Sequence, residues 1–82
     1  MSEENLPISE KLTIIKGVTL YKTEKWWSAI ALVDSFGRKQ IAMYLWLNKE
    51  GKWKRQQKFV VRNKAEWSQV KETIEKLLPN LP

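Results

Sequence analysis

Between Ala42 and Phe59 the chain reads AMYLWLNKEGKWKRQQKF, which sets Tyr44, Trp46 and Trp53 beside Lys49, Lys52, Lys54, Arg55 and Lys58. Flat rings offer π-faces on which unpaired nucleobases stack at roughly 1–3 kcal/mol each, while ammonium and guanidinium groups neutralise phosphates without reading sequence. The same residue types also suit a small core with solvated charge around it. The choice between the two depends on the elements that carry these residues and on the side to which each one points.

Other chemistries find little footing. The chain has no Cys and no His, so disulfides, thiolate metal sites, Cys nucleophiles and imidazole bases are all excluded. Asp34 is the sole Asp, and the Glu residues fall mostly in the first ten positions, one turn and one helical segment, with no paired-acid arrangement. Three isolated Gly make no phosphate-cradling loop, and no apolar run approaches a membrane span or a signal-peptide core. The expectation is an intracellular protein of cytoplasm, nucleoid or nucleus, with no enzymatic activity, no cofactor, no metal and no membrane partner.

The chain carries 15 basic and nine acidic residues, a net charge of +6. Its distribution is uneven. Residues 1–10 hold Glu3, Glu4 and Glu10 with no base, whereas residues 11–64 hold 13 bases against Glu24, Asp34 and Glu50, a net +10. Concentrated positive charge favours a polyanionic partner through long-range attraction and counterion release. With 82 residues, 43% of them hydrophobic and five Trp, the chain is one ordered domain with a thin core, which dimerisation would help to complete.

The elements follow from periodicity. Residues 1–10, MSEENLPISE, read as a flexible acidic tail, and residues 11–82 as a single β-β-β-β-α nucleic-acid-binding domain. Alternation of Leu12, Ile14, Val18 and Leu20 predicts a strand, interrupted at Lys16, with Gly17 marking a bulge or bend. WWSAIALVD is apolar at both parities and reads as a central strand; Trp26 and Trp27 face opposite sides, one packed and the other extending an aromatic surface. SFGR and NKEG are Gly-containing turns, the first with Phe36 at its tip. Asn63 with Glu66 predicts a capped helix from Lys64, whose stripe Trp67, Val70, Ile74, Leu77 and Leu78 is apolar and which Pro79 ends. The fold class is therefore α+β: a four-stranded antiparallel meander followed by one C-terminal amphipathic helix.

One helix covers only one face of such a sheet. On the third strand, Ile41, Met43, Leu45 and Leu47 are predicted beneath the helix, and Gln40, Ala42, Tyr44 and Trp46 on the other face. On the fourth, simple alternation gathers Lys52, Lys54, Lys58 and Arg62 on one face and puts Trp53 with Phe59 and Val61, a packing position. A bulge would exchange these faces. With the simple register, Trp46 and Tyr44 stand beside the basic row as a stacking platform.

At this point the chain resembles the positive cofactor four family of transcriptional coactivators, small single-stranded-DNA-binding domains. WLNKEGKWK looks like that family's aromatic strand end, hairpin and basic strand start, NKAEWSQVKETIEKL like its capped helix, and DSFG like its aromatic-tipped earlier hairpin. The resemblance spans about residues 26–78. It implies a curved sheet, a homodimer formed through helix and sheet edges, and grooves for single strands. It makes Trp46 a stacking residue, Phe36 a loop aromatic contacting a base, and Lys54 and Lys58 backbone contacts. The family's Asp-Ile-Arg-Glu run is here Ile41, Ala42, Met43 and Tyr44, so its arginine contact is absent, and Phe59 and Arg62 replace its usual Gly and Leu.

The sequence thus points to largely sequence-independent single-stranded DNA binding in transcription, replication or repair. Phe36, Tyr44 and Trp46 would stack, while Arg38, Lys39, Lys52, Lys54, Arg55, Lys58 and Arg62 would neutralise phosphates. Single-stranded RNA is the close variant. A protein-interaction adaptor docking on transcription machinery is the alternative from another class.

Overall fold

The computed structural model describes residues 6–8 and 11–82. The chain forms β1 (Thr13–Lys22), β2 (Trp26–Ser35), β3 (Arg38–Lys49), β4 (Lys52–Val61) and α1 (Lys64–Leu77), with a closing 3₁₀ turn at Leu78–Asn80. The strands make one sheet in the order β1-β2-β3-β4, each neighbouring pair antiparallel. This is the meander followed by a helix that the periodicity predicts.

Local chemistry sets the connections. Both two-residue hairpins hold positive φ at their two central positions, Phe36 and Gly37 in one, Glu50 and Gly51 in the other. That is the twist-matched geometry preferred between antiparallel strands. In each, a side chain two residues before the centre accepts from the glycine amide: Asp34 Oδ1 from Gly37 N at 2.8 Å and Asn48 Oδ1 from Gly51 N at 2.9 Å. The β1–β2 turn is held by Thr23 Oγ1, which accepts from the amides of Lys25 at 3.2 Å and Trp26 at 2.9 Å. The helix begins as its cap predicts, with Asn63 Oδ1 accepting from Glu66 N at 2.8 Å. Glu66 Oε1 reaches back to the Arg62 amide at 2.8 Å.

The core lies on the face opposite to the one expected. Register places Trp27, Ala29, Ala31 and Val33 of β2 with Ala42, Tyr44 and Trp46 of β3 on a single face, and all seven are buried. Leu6 joins them, with Ile8, Leu12, Ile14, Trp53 and Val60 packed around. No helix covers this face. It is enclosed because the sheet curls over it: β1 shifts register between Ile14 and Lys16 and again between Thr19 and Tyr21, and extra residues of this kind bend and twist a strand. The bulges flank Gly17 rather than coincide with it. Gly17 instead admits Leu6, since a Cβ there would stand 2.7 Å from Leu6 Cδ1. The expected acidic tail falls partly on residues 1–5, 9 and 10, outside the described residues.

The other face carries Val18, Ile30, Leu32, Ile41, Met43 and Phe59, and α1 does not cover it. The backbone of α1 comes near only one strand, β4, the edge from which it departs, and none of its residues is buried. Trp67, expected in the core, is 46% exposed, and Ile74, Leu77 and Leu78 are exposed with it.

Candidate nucleic-acid interface

Four rings form a connected cluster on the curled face. Trp27 meets Trp46 at a centroid distance of 5.3 Å and Trp53 at 5.4 Å, the latter edge-on at 70°. Tyr44 stacks on Trp46 at 5.1 Å with 6° between planes. Trp27 Nε1 donates to Thr19 Oγ1 at 3.0 Å, which satisfies the one polar atom of its ring. Cations border the cluster. Lys22 Nζ lies 3.9 Å from the Trp27 centroid and 5.8 Å from that of Trp53, and Lys58 Nζ lies 5.6 Å from that of Tyr44. Such contacts are worth about 0.5–1 kcal/mol at exposed sites.

A bulge in β4 decides which bases join this face. Leu45 pairs with Gln57, but Trp46 pairs with Arg55, so Gln56 is the extra residue. The alternation expected from sequence reverses beyond it. Trp53, Arg55 and Lys58 share the face of Tyr44 and Trp46, while Lys52 and Lys54 lie opposite, across from Lys49 and Leu47. The predicted row of Lys52, Lys54, Lys58 and Arg62 is therefore split. Arg62 follows the end of β4, where its guanidinium pairs with Glu66 at 3.6 Å.

The predicted stacking platform is corrected in the same way. Trp46 is 1% exposed and Tyr44 3%, so neither ring presents a free face. Trp46 is walled in by Trp27 and Tyr44, and small Ala29, Ala31 and Ala42 beside them let the sheet close tightly. Tyr44 Oη is buried without a hydrogen-bond partner among the described residues. Burial pushes its phenol above the ordinary value of 10.0, and the positive charge of Arg55 offsets part of that rise. Of the adjacent tryptophans, Trp27 is the packed one; Trp26 pairs with Leu47 on the opposite face and does not extend the cluster.

Phe36, Arg38 and Lys39 are exposed on the β2–β3 hairpin, as expected. Phe36 is 90% exposed and has φ 53°, an unfavourable conformation for a bulky side chain. This hairpin stands at the far end of β3 from Trp46, roughly 30 Å away at about 3.3 Å per strand residue, so a single nucleotide cannot touch both. The sequence favours packing over ligand contact for Trp53 and gives Lys22 no role. The signal for Trp53 was the bulge at Gln56 in β4 and that for Lys22 the register shift between Thr19 and Tyr21 in β1, neither of which short-range composition carries.

The uncovered face holds an apolar hollow of about 490 Å³ between the sheet and the start of α1, lined by Ile30, Leu32, Ile41, Met43, Phe59 and Trp67 among others. Among the described residues no three His, Cys, Asp or Glu side chains cluster as metal ligands, and no helix is long and apolar enough to cross a membrane. No protein-family model matches the chain, and no curated protein or solved structure is significantly similar to it.

Proposed function

We propose that this chain is a non-enzymatic, largely sequence-independent single-stranded-DNA-binding protein that acts as a homodimer in transcription, replication or repair. The observation that carries the reading is the ring cluster on the curled face with Lys22, Arg55 and Lys58 around it. An aromatic face bordered by cations suits single strands, whose base faces are open, and not duplexes, whose base faces are hidden, although Trp27, Tyr44 and Trp46 are themselves buried and cannot take a base. The net charge of +10 over residues 11–64 adds attraction for any polyphosphate. Phe36, Arg38 and Lys39 offer a second, exposed contact point for the same strand. The resemblance to positive cofactor four domains points in the same direction.

Dimerisation has its own support. The chain has one apolar helix stripe and one apolar sheet face, and within a protomer they do not cover each other. A second copy supplies the missing cover for both by a two-fold exchange, in which the same patches meet reciprocally. That arrangement leaves both curled faces outside the interface.

The test is a titration of intrinsic Trp fluorescence with oligo-dT, matched RNA and duplex DNA at two salt concentrations. Oligo-dT is expected to quench, with affinity falling steeply as salt rises, and duplex is expected to bind more weakly. Salt-insensitive or absent binding of every nucleic acid would sink the proposal. A second reading, an adaptor that docks a partner protein from transcription machinery, draws on the apolar hollow beside Trp67. It predicts a protein complex that survives nuclease treatment and a chain that stays monomeric alone.

A further inference from the structure

We propose that Trp53 is the residue on which a base stacks at the curled face, and that Lys22 occupies its place until a strand arrives. The inference rests on the single-stranded DNA reading and assigns the contact within it. Of the four clustered rings, Trp27, Trp46 and Tyr44 are buried, and Trp53 alone is only partly so. Trp27 packs against it 5.4 Å away at 70°, so its ring is already oriented and loses little freedom when something stacks on it.

The surroundings are fixed as well. Trp53 pairs across the sheet with Asn48, whose amide group donates to the Glu24 carbonyl at 3.2 Å while its oxygen accepts from Gly51 N at 2.9 Å. The Asn48 amide donates to the Lys25 carbonyl at 2.8 Å. One residue thus ties the β1–β2 and β3–β4 turns together beside the ring. The Gln56 bulge then sets Arg55 and Lys58 next along the same face of β4, an edge strand, so that a chain leaving Trp53 meets two cations in succession.

Lys22 completes the device. Its Nζ lies 3.9 Å from the Trp27 centroid and 5.8 Å from that of Trp53, the position of a cation held by a ring face. A base stacking on Trp53 displaces it, and the freed ammonium meets the phosphate that accompanies the base. The ring exchanges one weak contact for a stronger one, and Lys22 exchanges a ring for an anion.

The experiment combines crosslinking with titration. Oligo-dT carrying 5-iodouracil is irradiated with the wild-type protein, and the adduct is located by mass spectrometry. Adduct at Trp53 is expected; adduct confined to Phe36 or Tyr21 would overturn the assignment. In parallel, Trp53→Ala is expected to weaken oligo-dT binding about tenfold, from the strength of one base–aromatic stack, while Trp53→Phe retains most of it. Lys22→Ala is expected to lower the slope of log affinity against log salt by about one, the signature of one lost phosphate contact. If wild type binds oligo-dT and folded Trp53→Ala binds it equally well, this inference fails and the functional reading stands. If wild type binds no single strand, both fail together.

Discussion

Tyr44 combines a cost and a gain in one side chain: its hydroxyl is buried without a partner among the described residues, and its ring is stacked on Trp46. An unsatisfied buried hydroxyl costs about 1–3 kcal/mol. Tyr44→Phe removes that group and keeps the stack, so stability in chemical denaturation is expected to stay level or rise by up to about 1 kcal/mol. The phenol adds a pH signature. Because burial raises its folded-state pKa above the ordinary 10.0, the folded protein holds this proton more tightly than the unfolded chain does. Its contribution is intact below that value and is lost as pH climbs beyond it. Denaturation of both proteins between about pH 8 and 11 should show the advantage of Phe widening at the alkaline end. A constant difference would mean that the hydroxyl reaches water.

At the scale of elements, β1 and α1 differ in what secures them. β1 is held by its antiparallel ladder to β2, and Leu6 packs against it where residue 17 has no side chain. Gly17→Ala is expected to displace the end of the Leu6 side chain and cost about 1 kcal/mol, the low end for overpacking because a flexible side-chain terminus can give way, read as a lowered thermal midpoint. An unchanged midpoint would show that Leu6 adds nothing to the packing. The helix depends instead on its own ends, through the Asn63 cap and the return contact from Glu66 to the Arg62 amide. With none of its residues buried within the protomer, tertiary packing contributes little to it until another surface covers its stripe.

At the scale of the whole molecule, the exposed stripe and the exposed sheet face set the expected assembly. A homodimer has twice the 9.7 kDa of the chain, and sedimentation equilibrium should report about 19 kDa. Met43→Glu places a charge in the middle of the uncovered face, where it costs little in a free protomer because Met43 is solvent-exposed there. The variant is expected to sediment as a folded 9.7 kDa monomer. A wild-type chain that is monomeric at all concentrations would remove the two-fold exchange from the proposal.

What the sequence determined by itself was local. The Asx-x-x-Gly patterns at Asp34 and Asn48 produce their own hairpin turns, Asn63 and Glu66 produce their own cap, and alternation with period 2 or 3.6 distinguishes strands from helix. The meander was readable because short turns leave antiparallel pairing as the only choice. Two things lay beyond it. Alternation divides a strand into faces but does not say which is interior when both are apolar, as on β2 and β3; the curl of the sheet made the Trp27, Tyr44 and Trp46 side the core. Alternation also assumes that no residue is skipped, and the hydrogen-bond register at Gln56 skips one. That single shift carried Lys52 and Lys54 away from the aromatic face and brought Trp53 and Arg55 onto it, because side-chain direction in a strand follows pairing and not position in the chain.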